Sequence, residues 1–199
     1  MNNLFKYHKC QIKTKSSCRN LATIFSGDSL SEKIKIDVKN RNQMLSENHP
    51  QFKPKLVAIG VGDNPASRIY LKRKHEAAQF CGIDFDKLSL PSDTKEEYLR
   101  DLVHNLNSDQ SVHGVIVQLP LPPHMDEVRV CNSVDPSKDV DGFTQTNLGK
   151  LVQGLDDRSL IPCTALAVKM IIQEIGIRQR WNQEHKSNTI LKVSCKSTS

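Results

Sequence analysis

KLVAIGVGDNPASRIYLKRKHEAAQFCGIDFDKLSL, residues 55–90, decides the fold. Its first seven residues, Lys55–Val61, form a short apolar run with β-branched side chains, the composition of a strand covered on both faces. Gly62-Asp63 ends the run, and Asn64 is placed to cap a helix that starts at Pro65. A proline there costs nothing, because a first-turn N–H has no intrahelical partner to lose. The helix is predicted to pass through Ser67-Arg68-Ile69-Tyr70 to Cys81, where Gly82 closes it, and Asp84–Leu90 follows as a second strand.

Outward from that unit the alternation continues. Thr94-Lys95-Glu96-Glu97 has the T-x-x-E form of a capping box, and Leu99, Leu102, Val103 and Leu106 make one apolar stripe at helical spacing. A third strand is predicted over Val112–Gln118, running into Leu119-Pro120-Leu121-Pro122-Pro123. Upstream a helix is expected around Leu30–Leu45. Downstream another is expected over Thr164–Ile177, capped by Thr164 and stopped near Gly176. The expected fold class is therefore α/β, a βαβαβ domain with a parallel sheet and helices on both faces, whose ligands collect beyond the strand ends at Gly60–Asn64 and Gln118–Pro123.

Composition narrows the function classes. With 37% hydrophobic and 25% charged residues in 199, the chain lies in the globular range, and no apolar run approaches the roughly eighteen residues of a membrane span. The net charge of +6 divides unevenly: residues 1–27 carry +5, residues 178–199 carry +4, and residues 28–177 carry −3. Basic charge on two tails, without interleaved aromatics on a folded face, argues against a nucleic-acid partner. Cys10, Cys18, Cys81, Cys131, Cys163 and Cys195 show no C-x-x-C pairing, which argues against zinc and for reduced thiols. Residues 1–27 are basic, free of acids and rich in Ser and Thr, so a mitochondrial presequence and a matrix location are expected. Residues 178–199 have no clear period and read as a divergent tail.

Four places could carry chemistry. Tyr70 and Lys74 are spaced i, i+4 and share a helix face, an aromatic surface beside an amine. A free lysine titrates near about 10.4, so proton transfer needs burial or neighbouring cations, of which Lys72 and Arg73 are at hand. Gln118 ends a buried-type strand, and a strand-end glutamine in solvent is the plain alternative. Lys138-Asp139-Val140-Asp141-Gly142 sets two carboxylates before a glycine; it lacks the oxygen ligands of an EF-hand, and a simple turn is the plain alternative. Gly60-Val61-Gly62 fails as a dinucleotide fingerprint because Pro65 occupies the third glycine position.

Together, VGDNPASRIYLKRKHEAAQFCGI, GVIVQLPLPPHMDE and DPSKDVDGFTQTNLGKL, with a weaker LIPCTALAV, resemble the bifunctional methylenetetrahydrofolate dehydrogenase/methenyltetrahydrofolate cyclohydrolases. The resemblance implies a folate substrate and a site in which Lys74 transfers protons, Gln118 hydrogen-bonds and tunes it, Tyr70 stacks on the folate and Asp141 holds the pterin end. Val117 and Leu119 join the substrate-binding set, with Lys74, Gln118 and Asp141 as the catalytic residues. It also implies NAD or NADP, with Mg2+ and phosphate in NAD-using mitochondrial relatives, and a homodimer. The matching region is residues 28–177, and the family's nucleotide-binding domain is not found after it, nor is any cofactor-binding or metal-binding residue assigned in this chain. Ala165 and Ala167 stand where the family has proline and glycine. The sequence reading is thus of a truncated product, either representing the enzyme or forming a folate-binding or partner-binding remnant of it.

Overall fold

The computed structural model describes residues 26–155 and 160–174. The expected presequence lies outside the described residues except at its last two positions. The expected tail and the stop near Gly176 lie wholly outside them.

Helix α1 (Gly27–Asn48) precedes β1 (Lys55–Val61), α2 (Pro65–Phe80), β2 (Asp84–Leu90), α3 (Glu96–Ser108) and β3 (Gly114–Val117). Short helices α4 (Glu127–Cys131) and α5 (Gln145–Val152), then α6 (Cys163–Glu174), complete the described part. Both β2 and β3 pair with β1 in parallel, giving the order β2-β1-β3. The central strand's alternation sorts its side chains between two cores. Val57, Ile59 and Val61 face α3 and meet Leu99, Val103, Val115 and Val117. Ala58 faces the other way, with Ile116 of β3 and Leu71 of α2, and Leu56 and Phe85 pack around them. A strand with helices on both sides has no solvent face, which is why its sequence is nearly all apolar.

Local signals behave as elementary chemistry requires at α2. The Asn64 carboxamide oxygen accepts from the amides of Ala66 and Ser67 at 2.9 and 3.1 Å, and Pro65 opens the helix. At α3 the expected capping box does not form. The Thr94 hydroxyl donates to the Pro91 carbonyl at 2.7 Å instead, so Lys95 becomes the N-cap without a side-chain bond. Glu96, the first residue of α3 and not the glutamate of the box, reaches to α4, where its carboxylate accepts from the Asp126 amide at 2.8 Å and meets Arg129. The third strand is shorter than expected, yet the Gln118 amide still donates to the Ile59 carbonyl at 2.8 Å and the His113 amide to that of Lys55. The last helix begins at Cys163, which puts Thr164 inside its first turn rather than at its cap.

Leu99 is fully buried at the centre of the larger core. Leu99→Ala removes three carbons from a close-packed site and is expected to lower stability by about 3 kcal/mol, read as a fall in the urea midpoint at unchanged slope.

Candidate active site

Parallel strands deliver their carboxyl ends to one edge of the sheet, and the first hollow worth asking about lies there. A recess of about 250 Å³ opens under the N-terminus of α2. Gly60, Gly62, Ser67, Lys87, Ser89 and Gln118 are among the residues that wall it. Gly60 keeps it open, since a Cβ there would come within 3.2 Å of the Leu71 side chain. The Gln118 carboxamide donates to the Leu119 carbonyl at 2.8 Å, while its Oε1 is buried without a partner. Ser67 Oγ donates to the same Leu119 carbonyl at 3.2 Å, pinning the start of α2 to the end of β3.

Two turns beyond Ser67 along α2, Lys74 reaches across to the loop between α4 and α5. Its Nζ lies 3.5 Å from Asp141 Oδ2, with the lysine side chain 31% exposed and the aspartate 16%. Burial lifts the Asp141 carboxyl above its ordinary range. The charge and hydrogen bond of Lys74 pull it back down, and Asp139 adds a smaller upward push. Tyr70, one turn before Lys74, presents an exposed ring. Lys72 is exposed and sits 3.9 Å from Glu76, so its charge is shared rather than aimed at Lys74.

The structure therefore joins some of the expected residues and separates others. Lys74 and Asp141 are in contact, and Tyr70 lies beside them on α2. Gln118 makes no hydrogen bond to Lys74 and opens instead on the recess. Val117 is buried in the core and Leu119 is partly buried against it, and the Leu119 carbonyl accepts from both Ser67 and Gln118. A second, water-sized cavity of about 10 Å³ lies behind Asp141, walled by Val115, Val117, Cys131, Val134, Asp139 and Phe143. The Cys131 thiol in its wall is pushed up to about 11, by burial first and then by Asp139, Glu127 and Asp141, which keeps it protonated at neutral pH.

Spacing alone does not separate the two aspartates of the Lys138–Gly142 run; the resemblance singles out Asp141, and the structure brings it to Lys74. Asp139 is 4% exposed and bonds only to groups of the protein, whereas Asp141 faces Lys74. Their backbone places differ: Asp139 forms an isolated bridge with Val115 of β3, while Asp141 lies in the turn that follows, closed by the Gly142 amide donating to the Asp139 carbonyl at 3.1 Å. Ser67 was readable only as part of the helix, and its tie to Leu119 depends on β3 being adjacent. Among the described residues no cluster of three or more His, Cys, Asp or Glu is placed to hold a metal. The described residues also do not fit a dinucleotide at the glycine turn. The free amides at the start of α2 are occupied by Asn64, and Pro65 removes another donor.

The molecule is a parallel α/β domain that sets a lysine–carboxylate pair and an exposed tyrosine beyond its strand ends, the place where domains of this class bind small ligands. The chain belongs to the tetrahydrofolate dehydrogenase/cyclohydrolase family, whose catalytic-domain model matches residues 25–141. The bifunctional protein FolD of Acetivibrio thermocellus is 43% identical over 156 residues, 78% of this chain and 53% of that one. FolD of Aquifex aeolicus is 42% identical over 158 residues, covering 79% and 53%. Among solved structures, FolD from Campylobacter jejuni superposes with a TM-score of 0.73 at 41% identity, over 76% of this chain and 52% of that one. The methylenetetrahydrofolate dehydrogenase of the silkworm Bombyx mori gives 0.75 at 39%, over 79% and 53%. The chain spans about half the length of the relatives it matches.

These relatives correct one expectation. A mitochondrial matrix location was read from residues 1–27, but the similar curated proteins are bacterial FolD enzymes, from cells without mitochondria, and the family match begins only at residue 25. Basic, acid-poor composition alone does not distinguish a presequence from any other basic arm.

The raised Asp141 carboxyl has a thermodynamic sign. Its folded-state value lies above its unfolded one, so between the two the native state holds more protons and stability falls as pH rises. Asp141→Asn, which keeps the shape and removes the charge, is expected to raise the urea midpoint at pH 7. That advantage should shrink as pH falls into the carboxylate range, and paired denaturation curves at the two pH values check it.

Proposed function

We propose that this chain forms the folate-binding, proton-transferring part of a methylenetetrahydrofolate dehydrogenase/methenyltetrahydrofolate cyclohydrolase. The observation that carries the reading is the contact of Lys74 with the half-buried Asp141 beside Tyr70, inside the region that matches the family's catalytic domain. Residues 28–177 are taken as the catalytic region.

The chemistry asks for few parts. Tyr70 offers an exposed ring on which the flat aromatic part of a folate stacks. Asp141 accepts hydrogen bonds from the N–H edge of the pterin, and burial strengthens that preference for a donor. In the hydrolytic step water adds to the methenyl carbon, its proton passes to the Lys74 amine, and the ring C–N bond opens with return of a proton to the departing nitrogen. The product is a formyl derivative with no net change in oxidation state. Gln118, with an unpartnered Oε1, supplies an acceptor that orients a water or an ammonium at the recess. In the preceding oxidation the methylene carbon loses hydride to a nicotinamide acceptor, and the residues of this chain position the folate for it. A relative from Trypanosoma brucei, 30% identical with a TM-score of 0.73, is described with NADP cofactor and inhibitor, which supports a nicotinamide dinucleotide as that acceptor.

The test uses the purified full chain, with tetrahydrofolate binding followed by fluorescence and methenyltetrahydrofolate hydrolysis by loss of its absorbance. Lys74→Met is expected to retain binding within a few-fold and to slow hydrolysis by about a hundredfold or more. Tyr70→Ala is expected to weaken binding by roughly tenfold, the loss of one stacked aromatic contact. Hydrolysis that survives Lys74→Met overturns the assigned role. Binding without turnover in the unaltered chain would leave a folate-binding protein in place of an enzyme.

A further inference from the structure

We propose that Asp139 is a positioning residue for the Lys74–Asp141 contact. Its buried carboxylate gathers the start of α5 and thereby sets the loop that carries Asp141. The role deepens the proposed function and rests on it for its consequence in catalysis, but the contact itself can be tested without substrate.

Asp139 has no cation within ion-pair distance among the described residues. Its Oδ1 accepts from the Phe143 amide at 3.2 Å, and its Oδ2 accepts from the Thr144 amide at 2.8 Å and from Asn147 Nδ2 at 3.0 Å. A carboxylate 4% exposed and held by three neutral donors is costly to bury, and those donors are what make it tolerable. Thr144 and Asn147 are themselves buried: Thr144 caps α5, and Asn147 also donates to the Pro136 carbonyl. One carboxylate therefore draws the chain on both sides of the Asp141 turn into a single polar knot.

Three further restraints close the turn around Asp141. The Lys138 carbonyl accepts from the Val115 amide at 2.8 Å, fixing the loop's entry to β3. Lys138 Nζ donates to the carbonyls of Leu106, Asn107 and Asp109, tying the same entry to the end of α3. Gly142 has φ +68°, and a Cβ there would collide with the Leu160 carbonyl and the Pro162 nitrogen. With the entry held by Lys138 and the exit by Asp139, Asp141 is left at the bend between them, facing Lys74 of α2. The titratable groups around it are Lys74, Asp139 in its own loop, and Cys131 of α4 across the small cavity.

The experiment follows the Asp141 carboxyl by carbon-13 NMR titration of the aspartate-labelled full chain, with the resonance assigned from Asp141→Asn. The quantity read is the upward move of the Asp141 midpoint when Lys74 is changed to Met, which measures their contact. In the otherwise unaltered chain a clear upward move is expected. In Asp139→Asn the same Lys74→Met change is expected to move it by less than half as much, and in Asn147→Ala by an intermediate amount. A purely structural Asp139 would lower the urea midpoint and leave the move unchanged, and that result overturns the proposal. Absence of any move in the unaltered chain overturns it as well, since there is then no contact to position. Should Asp139→Asn fail to fold, Asn147→Ala, which removes one donor and keeps the charge, decides alone. A chain that binds no tetrahydrofolate yet shows the coupling refutes the functional reading and supports this one.

Discussion

The structure hangs on a strand that has neither a free edge nor a free face. β1 hydrogen-bonds to β2 on one side and β3 on the other, so its backbone groups are satisfied within the sheet. Its side chains are divided between the α3 core and the α2 core. Any residue with a polar side chain would leave an unpaired group in one of them. Because all three strands run the same way, their carboxyl ends meet at one edge. The turns after Val61 and Val117 are thereby brought together, whatever their separation in sequence, and the residues with chemistry to offer sit there, on α2 and on the loop before α5.

At that edge, charge does two different jobs. Lys138 and Asp139 are used by the fold, one on the carbonyls ending α3 and the other on the amides beginning α5. Both are helix ends with unsatisfied backbone groups, and each charge has the sign that complements its end. Asp141 and Lys74 meet each other instead, and the proposed function assigns that pair to a ligand. Their environments differ for the same reason: Asp139 has its donors in the protein, while Asp141 is buried enough to feel the loss of water with one lysine to answer it.

Keeping Asp141 half-buried works against stability and, on the proposed function, in favour of recognition. Burial penalises its charged form, and a ligand that brings N–H donors relieves the penalty on arrival. Cys131, behind it, is held protonated by the same surroundings, so the wall of the site is chemically inert. The recess under α2 depends on Gly60, whose missing side chain leaves room between sheet and helix, and on Gln118, whose backbone is bound to β1 while its Oε1 is left without a partner.

Much of this was legible in residues 55–90 and in the blocks that follow. The bounds of β1 and β2, the Asn64 cap and the Leu99–Leu106 stripe depend on neighbours close in sequence, and they came out as read. The capping box at Thr94 did not, because a nearby carbonyl of Pro91 competed for the hydroxyl and Lys95 became the N-cap. By itself the sequence determined the parallel α/β order and, through long matching blocks, the residue types at the site. The resemblance singled out Asp141, but only the tertiary structure decided that it meets Lys74 while Asp139 is consumed by the fold, and that Gln118 opens on a recess apart from them. Those assignments depend on the order β2-β1-β3 and on contacts between α2, β3 and the loop before α5, elements brought together by the packing of two cores rather than by any local pattern.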